Sequence, residues 1–133
     1  MKVSGTFTVA MDGEPPFDDI ANVTMARARS DKRFSGPLEG SSQLHILAAR
    51  TAISNSAAYV GLERIEGELD GRSGSFLTVH LGVRNRGDDR LTIDIVPDSG
   101  TGELRGIMGQ MTIRIVDGQH YYELEYHLSG EAG

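Results

Sequence analysis

Polar and apolar positions alternate with period two along almost the whole chain, the spacing of a strand rather than a helix. The alternation falls into eight runs: Val3–Met11, Val23–Phe34, Leu38–Thr51, Tyr59–Leu69, Ser73–Val83, Leu91–Val96, Thr101–Val116 and Gln119–Leu128. Turn chemistry separates them. Asp70-Gly71 and Asp117-Gly118 stand between alternating runs, which is among the strongest local hairpin signals. Ser54-Asn55-Ser56, Arg86-Gly87-Asp88-Asp89 and Pro97-Asp98-Ser99-Gly100 read as further turns. Asp12 to Asn22, with Pro15-Pro16 and several acids, reads as a loop. Gly106 and Gly109 mark bends or bulges in the long run that contains them. The only helix-like window, Leu44–Ala52, has serine and β-branched flanks and reads as strand.

Eight sequential antiparallel strands joined by short turns predict an all-β protein. A closed eight-stranded up-and-down barrel leaves no exposed edges, whereas a sandwich would. Such a barrel is just wide enough to be filled by side chains or to hold one small ligand. The reading is a single β-barrel domain over residues 1–133, with Ser129–Gly133 expected to fray.

Polarity assigns the faces. In the fourth run Arg64, Glu66 and Glu68 share the face expected to meet water. Tyr59, Gly61, Ile65, Gly67 and Leu69 share the other with a single charge, Glu63. A two-residue turn centred on Asp70-Gly71 or Gly71-Arg72 places Phe76, Thr78 and His80 on that same inward face. Glu63 and His80 are then opposite or diagonal neighbours, and Gly67 lies near Phe76 in a ring-over-glycine contact. The second Asp-Gly hairpin brings Ile113, Ile115, Tyr122, Leu124 and Tyr126 together inside. In the second run Arg27, Arg29, Asp31 and Arg33 face one way, and Ala26, Ala28, Ser30 and Phe34 the other. The arginines suit a solvated face or a contact between subunits.

Composition removes several classes of function. The chain has no cysteine, so disulfides, thiolate metal sites and cysteine nucleophiles are excluded. Its net charge of −6 argues against nucleic-acid or anionic-membrane binding, which needs a basic surface. No apolar run is long enough for a spanning helix, and the first residues lack an apolar signal core, so the expected location is cytoplasmic. The 17 glycines, about twice the usual share of roughly 7%, suit turns and close strand contacts. The four histidines have no zinc-site spacing, and Ser75 lacks the partners of a nucleophilic triad. Gly71-Arg72-Ser73-Gly74-Ser75 lacks the helix and Lys-Ser/Thr pair of a phosphate loop. No metal or cofactor is therefore expected.

Four blocks carry a family resemblance. They are Gly5-Thr6-Phe7; Phe34-Ser35-Gly36-Pro37-Leu38-Glu39-Gly40-Ser41-Ser42; Tyr59-Val60-Gly61-Leu62-Glu63-Arg64 with Gly67, Leu69, Gly71 to Phe76, His80 and Gly82; and Val96 to Gly106. In this order they resemble a small bacterial family known as domain of unknown function 3224, which is similar in fold to allene oxide cyclase, a lipocalin-like or calycin barrel. Pro37 departs from the family's usual polar residue, and Thr78 from a bulkier apolar one that would leave less cavity. The resemblance implies the barrel and no established activity.

Three readings of the function follow. In the first, the barrel binds a small apolar or amphipathic metabolite, with Tyr59, Phe76, Thr78, Tyr122 and Tyr126 lining the site. In the second, Glu63 and His80 form a catalytic acid/base pair of a cofactor-free cyclase or isomerase. Burial would raise the carboxyl pKa and a nearby imidazolium would lower it, poising the pair for proton transfer. In the third, the interior is filled and the pair is structural, in a barrel that assembles as a dimer or trimer. An open cavity with Glu63 and His80 at its wall would keep catalysis in play, and a filled interior would remove both ligand readings.

Overall fold

A computed structural model describes residues 1–129. Nine antiparallel strands form one sheet: β1 (Lys2–Gly13), β2 (Asp18–Ile20), β3 (Val23–Ser35), β4 (Leu38–Arg50), β5 (Ala57–Leu69), β6 (Arg72–Asn85), β7 (Asp88–Ile95), β8 (Ile107–Val116) and β9 (Gln119–Leu128). Each long strand pairs with the next, β1 pairs with β9, and β1 also pairs with β3. That last pairing closes an eight-stranded antiparallel barrel, with β2 a short addition on the outer half of β3. The barrel agrees with the alternation of the sequence.

Four hairpins turn on two residues with positive φ: Ala21-Asn22 (53° and 65°), Asp70-Gly71 (50° and 83°), Arg86-Gly87 (50° and 89°) and Asp117-Gly118 (51° and 78°). This is the type I′ geometry, whose twist matches that of the flanking strands. The turn centred on Asp70-Gly71 pairs Glu63 with Thr78 and Gly61 with His80. His80 is therefore diagonal to Glu63 on the same face. The frayed tail expected from Ser129 onward lies mostly outside the described residues.

The structure departs from the sequence reading in four places. The Asp12–Asn22 segment contains β2, which pairs Asp18 with Met25 and Ile20 with Val23. The run expected from Thr101 begins as a strand only at Ile107, after a 3-10 turn at Gly102–Leu104. Here segment 96–103 bonds to β6 instead of extending β8: Ser75 O accepts from Thr101 N, and Glu103 accepts from Ser73 N. Gly67 is pressed against Gly40 and Glu39 of β4. The ring-over-glycine contacts fall elsewhere, at Tyr59 over Gly82 and Tyr122 over Gly5, both directly paired across strands. Finally, Ile115 is 62% exposed, not inside. Only Ile93–Met111 and Asp94–Gln110 pair between β7 and β8, so the end of β8 that carries Ile115 has no strand on its β7 side, while β9 stays paired with β1 up to His120.

The packed core occupies one end of the barrel. Phe7, Phe34, Leu38, Ile65, Leu69, Phe76, Leu104, Ile107, Tyr122 and Leu124 are each 3% exposed or less and belong to one cluster. Toward the other end the inward residues of β4 to β6 include the polar Ser42, Glu63, Thr78 and His80 beside Leu44 and Ile46, and then the small Ala48, Ala57 and Gly82 beside Tyr59. Among the described residues no helix is long and apolar enough to cross a membrane.

Candidate functional site

The polar layer at mid-barrel is built on Glu63. It is fully buried, as the single charge on its face predicted, while Arg64, Glu66 and Glu68 are exposed. Its carboxylate has four polar partners. Oε1 accepts from His80 Nε2 at 2.8 Å and Thr78 Oγ1 at 3.0 Å. Oε2 accepts from Ser42 Oγ at 2.5 Å and faces Lys32 Nζ at 3.2 Å. Lys32 is 7% exposed, and its ammonium also lies 5.3 Å from the Phe7 ring centroid.

Burial by itself would raise the Glu63 pKa. The hydrogen bond from His80, the Lys32 charge and the Ser42 hydroxyl outweigh it and hold the carboxyl at about 2, against an ordinary 4.5. Glu63 is thus an anion at neutral pH, paired and saturated with donors. An anion of this kind is a weak base, which separates it from the poised carboxyl expected from the sequence.

The layer continues outward through His80. With Nε2–H donating to Glu63, its Nδ1 faces the Tyr59 hydroxyl at 3.2 Å. Burial and the Glu63 charge both raise the Tyr59 pKa, so the phenol keeps its proton and faces Nδ1 as a donor. The chain of hydrogen bonds runs Tyr59 to His80 to Glu63. Gly82 makes it fit: a Cβ there would lie 2.5 Å from Tyr59 Cε1.

Tyr59 lies where the polar layer meets open space. A cavity of about 600 Å³ opens at this end of the barrel, lined by Ala48, Ala57, Ala58, Tyr59, Gly82 and Leu91, with the Thr51–Ser56 turn alongside. Small residues on β4 to β6 leave this space. Arg50, Arg84 and Arg90 stand in its wall, with Arg84 bonded to Asp89 at 3.0 Å.

The sequence-predicted residues therefore separate. Glu63, His80, Tyr59 and Thr78 come together in one network. Tyr59 also lines the cavity, while Glu63 and His80 lie beneath it. The departure at Thr78 supplies a hydroxyl to Glu63. Phe76 is in the packed end. Tyr122 pins the β3–β4 turn, accepting from Leu38 N and donating to backbone oxygen there. Tyr126 donates to Asp70 at the β5–β6 turn. Sequence reasoning missed Lys32 and Ser42. Their signal was parity: Lys32 falls between Ser30 and Phe34 on the inward face of β3, and Ser42 between Gly40 and Leu44 on β4.

The architecture is a closed all-β barrel with a buried ionic layer beneath an open end. Residues 3–126 match the family model described as protein of unknown function (DUF3224), and the chain belongs to that family. Among solved structures it is similar to a DUF3224-family protein with unknown function from Shewanella oneidensis MR-1. The two are 42% identical with a TM-score of 0.91, and the match covers 97% of this chain and 98% of that one. No curated protein matches it.

Proposed function

We propose that the protein binds a small amphipathic metabolite in the mouth cavity. The apolar part would rest on Ala48, Ala57 and Leu91, and an anionic end would meet Arg50 and Arg90. The observation that carries this reading is the cavity itself. Its roughly 600 Å³ is within the range of small-molecule sites, and it combines apolar walls with a few polar groups. Arg84 is already engaged by Asp89, so Arg50 and Arg90 are the cations left to a ligand. Amide chemical-shift mapping with octanoate, octanol and octylammonium tests it. Shifts at Tyr59, Gly82 and Leu91, strongest with octanoate, are expected. Silence at these residues with all three probes would end the reading.

A second reading is favoured by the Tyr59–His80–Glu63 chain, which leads from the cavity wall to a buried anion. In a cofactor-free isomerase or cyclase, the Tyr59 oxygen would take a proton from the carbon beside a substrate carbonyl as its own O–H proton passes to His80 Nδ1; Glu63 would stabilise the imidazolium so formed, and the reverse transfer would return a proton to the rearranged substrate carbon. Deuterium uptake from D2O into bound 4-oxo-octanoate would reveal it. Tyr59→Phe should abolish that uptake and leave binding intact. Equal uptake with and without Tyr59 would remove this reading while leaving the binding reading standing.

A further inference from the structure

The outside of the barrel is uneven in a way the interior does not explain. On the outer face of β4 to β6, Leu47 pairs with Val60, Val60 with Leu81, and Leu62 with Val79. All five are more than 40% exposed. Directly paired side chains lie about 5 Å apart, so they form one apolar surface, and Met25 on β3 extends it diagonally from Leu47. The opposite wall contrasts with it. There the outward positions of β1, β9 and β8 are mostly polar, with Ser4, Thr6, Glu123, Glu125, Thr112 and Arg114, and the exposed apolar Met108 and Val116 stand apart near the two ends of β8.

The amount of exposed surface points the same way. A folded monomer of 14.4 kDa is expected to expose about 6,800 Å². This chain exposes 8246 Å², roughly 1,400 Å² more. A standard interface removes about 800 Å² from each partner, so the surplus is ample for one. Contiguous apolar patches of this kind mark interaction sites.

We propose that the outer face of β4, β5 and β6 is the contact between two copies of this chain, packed sheet against sheet. A second copy brings an equal apolar area to the contact: a twofold axis sets the same patch against itself and leaves the polar wall in water. This holds whatever the mouth cavity does.

Sedimentation of the full chain between about 1 and 100 µM tests it, since a stable contact of this size should be populated in that range. The wild type should sediment as a dimer. Val60→Asp and Leu62→Lys should each weaken assembly by roughly a hundredfold, since both place a charge in the centre of the patch. Thr112→Asp, on the polar wall, should leave assembly unchanged. A wild type that stays monomeric throughout would overturn the proposal, as would an oligomer that survives both patch substitutions with native circular dichroism. Should both variants unfold, hydroxyl-radical footprinting of the wild type decides. Protection of Leu62, Val79 and Leu81 at high concentration supports the interface, and its absence overturns it.

Discussion

Replacing Glu63 with Gln removes one charge and keeps the shape of the side chain, yet it should be among the most damaging single changes in this barrel. The carboxylate accepts from His80, Thr78 and Ser42 and faces the Lys32 ammonium. A Gln amide has one oxygen and one NH2 group, so one pair of these donors must face another donor. Lys32, 7% exposed, also loses its buried counter-charge. Breaking a buried ion pair from one side typically costs about 3–5 kcal/mol. The depressed carboxyl pKa leads to a figure of similar size. Glu63 falls from 4.5 to about 2 on folding, and at about 1.36 kcal/mol per pH unit this amounts to about 3 kcal/mol. A depressed folded pKa stabilises above the unfolded value. The contribution is therefore complete above about pH 4.5 and disappears as pH falls toward 2. Urea unfolding of both proteins between pH 2 and 7 measures the difference directly. The wild type should exceed Glu63→Gln by about 3–5 kcal/mol at pH 7, or about 10–20 °C in Tm, and the gap should shrink toward pH 2. A gap under about 1 kcal/mol at pH 7, or one that does not change with pH, would refute the account of the ionic layer.

Other outcomes follow from neighbouring groups. Lys32→Met removes the cation that helps hold Glu63 down, so the acid-induced loss of stability should begin at higher pH; an unmoved acid limb in the same urea series would count against the pair. Gly82→Ala places a Cβ 2.5 Å from the Tyr59 ring and should displace it from His80. The raised Tyr59 pKa should then relax toward 10, read as tyrosinate absorbance against a Tyr59→Phe control. Gly71→Ala meets no neighbouring atom, so it should cost only about 1–2 kcal/mol for its positive φ. Gly40→Ala, whose Cβ would lie 2.1 Å from the Glu66 carbonyl oxygen, should cost clearly more in the same unfolding assay.

The strand character of the chain, the Asp-Gly turns and the inward placement of Glu63 and His80 are all local facts. Side-chain direction alternates strictly along a strand, and a type I′ turn carries that parity into the next strand, so faces could be read without seeing a contact. Parity also held the inward positions of Lys32 and Ser42, but a long cation between Ser30 and Phe34 has no local mark that distinguishes a buried partner from a solvated one. What only the tertiary structure decided depends on strands far apart in the chain. The pairing of β3 with β4 and of β4 with β5 sets Lys32 across Ser42 from Glu63, and together with the His80 hydrogen bond it reverses the direction of the carboxyl's pKa from the one burial alone would impose. The parting of β7 from β8 leaves Ile115 outside a core its parity assigned it to. The division of the interior into a packed end, an ionic layer and an open mouth also belongs to the fold. Large and small inward residues become layers only when eight strands align them at one height, and that alignment is what sets Tyr59 between the buried anion and the cavity.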